Sequence, residues 1–224
     1  MNKYWKIPPD GNASFVACME EVLDVYHLPY EACFPVVCMD ESNKQLIGEV
    51  HAPIPPAPGH ALIVDHEYVR KGTVQLFVEI EPLTGQRHVE VTETRKREDW
   101  AKFVKAMLDE RYPGAVKVRL VMDNLNTHDI ASLYATFPPQ EARRLAQRLE
   151  IHYTPKHGSW LNIAEIELSA LNAQCLNRRI AGITHMRNQV EAWEKDRNNR
   201  AAPINWQFTT EKARIKLTRL YPNL

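Results

Sequence analysis

The stretch PVVCMDES, residues 35–42, decides how the rest of the chain is read. Its apolar run, Val36, Val37, Cys38 and Met39, is too short for a helix and too continuous for a strand with one wet face, so it reads as a buried strand. The run stops at acids, beginning with Asp40. A second stretch, AVKVRLVMDN (115–124), repeats the pattern, with Leu120, Val121 and Met122 leading directly into Asp123. Open α/β sheets place ligands at the carboxyl ends of central strands. If these two strands are neighbours, both carboxylates emerge at one edge.

Working outward, SFVACMEEVLDVYH (14–27) carries Phe15, Cys18, Val22 and Val25 at helical spacing. HAPIPPAPGH (51–60) is loop by its prolines. GTVQLFVEIEPLTGQRHVEVTETR (72–95) predicts a hairpin turning at Leu83-Thr84-Gly85. EDWAKFVKAMLDERYPG (98–114) predicts an amphipathic helix with Trp100, Phe103, Val104, Met107 and Leu108 on its apolar side. PPQEARRLAQRLE opens with prolines suited to a first helical turn, IHYTP (151–155) makes a last strand, and helices are expected near 161–179, 184–200 and 209–220. A strand pair precedes alternating units, which is an α/β layout. We divide the chain into a linker and helix over 1–34 and one domain over 35–224.

The 224 residues carry 28 basic and 28 acidic side chains, but residues 1–140 hold 14 Lys/Arg against 20 Asp/Glu (−6), and residues 141–224 hold 14 against 8 (+6). This asymmetry is compatible with nucleic acid and equally with ordinary surface scatter. No run reaches the roughly 18 apolar residues of a membrane span, and MNKYWKIPPDGN lacks a signal layout, so a cytoplasmic protein without a membrane partner is expected. The four cysteines form no CxxC pair, which argues against structural zinc.

Two neighbouring carboxylates repel and shift each other's pKa unless a divalent cation neutralises them, and an all-oxygen donor set suits Mg²⁺ or Mn²⁺. Each aspartate taken singly also reads as a turn former. A third acid is sought in HGSWLNIAEIEL (157–168), which holds Glu165 and Glu167. A wheel started at Leu161 places Glu165 with Asn162, Ser169 and Asn172 on a polar stripe between two apolar ones, and Glu167 beside Gln174 and Arg178 on what reads as a solvated face. The stripe favours Glu165.

VVCMDES, VMDNLNTH and HYTPKHGSWLNIAEIELSAL, in that order, resemble the DDE-type transposases of bacterial insertion sequences in the mariner superfamily. The resemblance runs from about Pro35 to Pro222. It implies a ribonuclease-H-like mixed five-stranded sheet flanked by helices, with extra C-terminal helices. It also implies that Asp40, Asp123 and Glu165 are the catalytic, metal-binding acids. Family members usually show a proline after the LN dipeptide, where this chain has Ile163-Ala164, and that departure keeps Glu167 as the other candidate.

The chemistry so implied is cleavage at transposon ends and strand transfer, with two Mg²⁺ or Mn²⁺ ions clamping the scissile phosphate. Double-stranded DNA is the implied partner, with a TA target and a homodimer on DNA, in a bacterial, nucleoid-associated setting. Asn124 and His128 are candidates to support the acids. Lys156, His157, Arg178 and Arg179 are candidates for the DNA backbone and Trp160 for base stacking, although an aromatic of this kind also anchors cores. The 34 residues ahead of Pro35 are too few for the family's two helix-turn-helix modules. A non-catalytic DNA-binding or dimerising remnant and a ribonuclease-H-like processing nuclease are the competing readings.

Overall fold

The structure, a computed structural model, describes residues 11–125 and 128–222. Five strands, β1 (Val36–Glu49), β2 (Tyr68–Glu81), β3 (Gln86–Thr92), β4 (Val118–Met122) and β5 (Leu149–Tyr153), form one sheet in the order β3-β2-β1-β4-β5. β1 runs antiparallel to β2 and parallel to β4, β4 is parallel to β5, and β2 and β3 make the expected hairpin. Gly85 takes φ +71° in that turn, where a Cβ would lie 2.6 Å from the Ala202 backbone, so only glycine fits there.

Alternation along β1 sends successive side chains to opposite layers. Val37 and Met39 face one layer with Phe77, packed on Trp100, Phe103 and Val104 of α2 (Arg97–Ala106), Leu133 of α3 (Ile130–Thr136) and Leu145 of α4 (Pro139–Gln147). Val36 and Cys38 face the other, against Phe15, Met19, Val22 and Leu23 of α1 (Ala13–Tyr26). Further along that second face, Val78, Val89 and Val91 meet Leu171 of α5 (Ala164–Leu171) and Met186, Val190 and Trp193 of α6 (Ile183–Arg200). The chain closes with α7 (Thr210–Lys216), whose Ala213 also packs in the α1 layer. This is the mixed five-stranded sheet expected.

Several details depart from the sequence reading. β1 does not stop at Ser42 but continues to Glu49, because β2 pairs with it through to Glu49↔Tyr68. The ladder supplies hydrogen-bonding partners to polar residues that have no strand signature of their own. The short helix α3 was not anticipated; Asp129 caps it by accepting from the Ser132 N–H at 2.9 Å. Its VMDNLNTH approach includes Asn126 and Thr127, which lie outside the described residues. α2 ends as a π-helical turn over Met107–Arg111, and α5 does so over Asn172–Leu176. The four cysteines are unbridged; burial pushes the Cys38 thiol up to about 12. Among the described residues no helix is long and apolar enough to cross a membrane.

Candidate active site

Asp40 sits mid-strand in β1, opposite Val78 of β2, but its parallel neighbour β4 ends at Met122. Continuing the register past Cys38↔Val121 brings Asp40 level with Asp123. The Asp40 carboxylate accepts from the Glu41 N–H at 2.8 Å and from Asn162 Nδ2 at 3.3 Å. Burial, followed by the charges of Glu165, Asp123 and Glu41, raises its pKa to about 7 against the opposing hydrogen bond from Glu41. These three acids are therefore close enough to Asp40 to disfavour its ionised form.

The third acid is delivered by a tightly built segment. Ser159–Leu161 form a single 3-10 turn; the Tyr26 hydroxyl donates to the Leu161 carbonyl at 2.7 Å and accepts from the Ile163 N–H at 3.3 Å. Asn162, 1% exposed, donates through Nδ2 to the Met39 carbonyl at 2.8 Å, and its Oδ1 accepts from the Ala164 N–H at 3.1 Å. One buried amide thus joins the edge of β1 to the start of α5. Glu165 follows in the first turn, half-buried, where the helix dipole favours an anion. The LN dipeptide marked this place in the sequence, but the brace made by Asn162 was not assigned.

Asp123 is held differently. Its Oδ1 lies 2.7 Å from His128 Nδ1, and His128 Nε2 contacts Glu41. His128 is 1% exposed and stacks on Trp100 with centroids 6.0 Å apart. Burial by itself would lower the pKa of this imidazole, but its hydrogen bonds to Asp123 and Glu41, with their charges, hold it up at about 9. The ring thus pairs with a carboxylate at each nitrogen, hydrogen-bonded to Asp123 at Nδ1 and in ion-pair contact with Glu41 at Nε2. His128, a candidate from the sequence, lies beside Asp123; Glu41 was not singled out, because strand alternation sends it to the face opposite Asp40.

Asn124, Lys156 and His157 are exposed and, with Asp123, Thr154, Pro155 and Ser159, line an open cleft of about 410 Å³. His157 has φ 67°, a left-handed conformation costing ~1–2 kcal/mol outside glycine. The other candidates lie elsewhere. Trp160 packs edge-on against Phe208 at 6.0 Å in the α1 layer. Arg178 donates to the Cys175 carbonyl at 2.9 Å and to Gln189. Arg179 pairs with Glu49 and donates to the Glu67 carbonyl at 3.0 Å, and it does not line this cleft.

Glu167 is the main correction to the sequence reading. It is 1% exposed rather than solvated, with Oε2 3.0 Å from Arg87 Nε and Oε1 2.9 Å from Arg197 Nη2. Its apolar neighbour Ile166, by contrast, is 46% exposed. The wheel was misaligned because Leu161–Ile163 precede α5 and the π-helical turn follows it. It also treated charge as outward, whereas Arg87 on β3 provides a buried partner.

The donor set fits a hard divalent cation: three carboxylates, no thiolate, and an excess of negative charge at a partly buried point. Among the described residues no group of three or more aspartate, glutamate, histidine or cysteine side chains stands arranged to hold a metal ion. Asp123 is engaged with His128 instead.

Comparison with known proteins agrees with this fold. The family described as DDE superfamily endonuclease matches residues 35–187. No curated protein matches the chain. Among solved structures, the Mos1 mariner paired end complex with Mn is similar at TM-score 0.55 and 14% identity, over 90% of this chain and 62% of that one. The Mos1 strand transfer complex gives 0.57 and 12% over the same shares, and the paired end complex with Mg gives 0.56 and 13% over 100% and 68%. The chain thus spans less than two thirds of the first two chains it matches, and at these identities the likeness is one of fold. With the family match covering the strands and helix that carry all three acids, this chain belongs to the DDE superfamily of endonucleases.

Proposed function

We propose that this chain is the catalytic domain of a transposase of the mariner type, cutting DNA at transposon ends and joining them to target DNA by phosphoryl transfer. The observation that carries this reading is the gathering of Asp123 and Glu165 around the partly buried Asp40 at the edge of β1 and β4. Asp40, Asp123 and Glu165 would hold two Mg²⁺ or Mn²⁺ ions, in keeping with the Mn and Mg named in the Mos1 complexes. Such ions, when bound, lower the pKa of an attacking water or hydroxyl and neutralise charge on the phosphate. Asn162 keeps Asp40 aimed at the edge, and His128 does the same for Asp123.

Lys156 and His157, exposed on the cleft beside Asp123, would contact the phosphate backbone and contribute affinity without sequence information. Joining two ends calls for a homodimer on double-stranded DNA, with a TA target and residence on the nucleoid as the expectations of this family type. The test is nicking of supercoiled plasmid with Mn²⁺ or Mg²⁺. Asp40→Ala, Asp123→Ala and Glu165→Ala should each abolish it. A Glu165→Ala protein as active as wild type on the same DNA and metal overturns the assignment.

A further inference from the structure

We infer that Glu41 is a positioning residue that acts on both aspartates of the site, touching Asp40 through its backbone and Asp123 through His128. The inference rests on the reading of Asp40 and Asp123 as metal ligands. Glu41 follows Asp40 on β1, so its side chain projects to the face that Val37 and Met39 share with the Trp100 layer, where it is 5% exposed. Its backbone N–H donates to Asp40 Oδ1 at 2.8 Å. Its Oε2 meets His128 Nε2, and the other ring nitrogen of His128 lies 2.7 Å from Asp123 Oδ1. Arg95, half-exposed, adds a distant partner, its Nη1 3.6 Å from Glu41 Oε1.

The rest of the surroundings fix the imidazole rather than share its load. Trp100 covers one ring face, the His128 N–H donates to the Leu125 carbonyl at 2.8 Å, and the Tyr153 hydroxyl donates to the His128 carbonyl at 3.0 Å. These contacts hold the backbone and one ring face but reach neither ring nitrogen, so the aim of Nδ1 at Asp123 is left to the carboxylate behind Nε2. A carboxylate–histidine–carboxylate chain of this kind would orient the Asp123 carboxylate for a metal ion, as outer hydrogen-bond partners do for ligating groups generally. Asp123 needs such a guide, because it lies one residue past β4 and no sheet ladder holds it.

The measurement is Mn²⁺ binding to the full chain without DNA, by calorimetry and by the linewidth of the Mn²⁺ paramagnetic resonance spectrum. Removing an outer partner typically weakens metal binding about 10–100-fold, so Glu41→Ala should raise the Mn²⁺ Kd by at least about 10-fold and alter the linewidth. Glu41→Gln, which keeps an acceptor for Nε2–H, should restore affinity to within about 3-fold. His128→Ala should match Glu41→Ala, and the double variant should be no weaker than His128→Ala, because the chain acts as a unit. If Glu41→Ala fails to fold, Glu41→Leu carries the same expectation. Wild-type affinity and linewidth in the folded Ala or Leu variant overturn the inference. Asp40→Asn separates the two levels: if it leaves Mn²⁺ binding intact, the metal-site reading itself fails, whereas its loss alongside a silent Glu41 variant overturns only the role of Glu41.

Discussion

Glu167→Ala tests the account of α5 most severely, because sequence and structure forecast opposite outcomes. The change removes a carboxylate that is 1% exposed and leaves Arg87, whose side chain is fully buried, without its ion-pair partner, the charge of Glu194 acting on it only as a weaker one. Arg87 Nη1 has no hydrogen-bond partner even with Glu167 present. Breaking one side of a buried pair costs ~3–5 kcal/mol; losing the favourable dipole interaction at the helix start adds only ~0.3–1 kcal/mol. Arg197 matters less, since its side chain is 20% exposed and can return to water. Against a total stability of ~5–15 kcal/mol the loss is large. With a urea m-value of about 2–3 kcal/mol/M for a chain of this size, the unfolding midpoint should fall by about 1–2 M. The double variant Arg87→Met with Glu167→Leu should recover most of this, because an apolar pair of similar volume has no charge to compensate. A loss in Glu167→Ala below about 1 kcal/mol, the value of an exposed pair, would refute the reasoning. Where the variant is folded it should still nick DNA.

Three further outcomes are expected. Asp40→Asn should abolish nicking yet raise the thermal stability of the metal-free protein at pH 8, because it removes a charge that burial and the acids around it disfavour; an unchanged or lower Tm contradicts this. Asp109 is held down at about 2 by its hydrogen bonds to Arg144 and Lys105 against burial, so its contribution is complete above the unfolded carboxylate value near 4. That stability should be lost as pH falls from about 4 to 2; urea unfolding at stepped pH should show a flatter acid limb in Arg144→Ala. Lys156→Ala should weaken DNA binding about equally for all sequences and reduce the slope of log affinity against log salt by about 1, which filter binding at several salt concentrations would report.

The runs ending at Asp40 and Asp123 were legible in the sequence because a strand buried on both faces has a distinctive composition and its end is marked by the first charge. The hairpin around Gly85 and the three closing helices were legible for the same local reasons, turn chemistry and period. The second half of β1 was not, since Asn43–Glu49 owes its extended form to β2, whose paired residues lie between nineteen (Glu49↔Tyr68) and thirty-two (Asn43↔Gln75) positions further along the chain. Helix α3 was hidden because its seven residues are too few to display a period.

At the candidate site, the sequence by itself nominated the three acids to which we assign the chemistry: Asp40 within β1, Asp123 just past β4 and Glu165 at a helix start. Tertiary structure decided which neighbours aim them. A wheel can rank Glu165 and Glu167 only by the company each keeps on its own helix, yet Arg87 and Arg197, which draw Glu167 inside, come from β3 and α6. Likewise Glu41 and Asp123 are joined only once His128 folds under Trp100. Buried charge is settled by partners distant in sequence, and only the folded chain brings them within hydrogen-bonding reach.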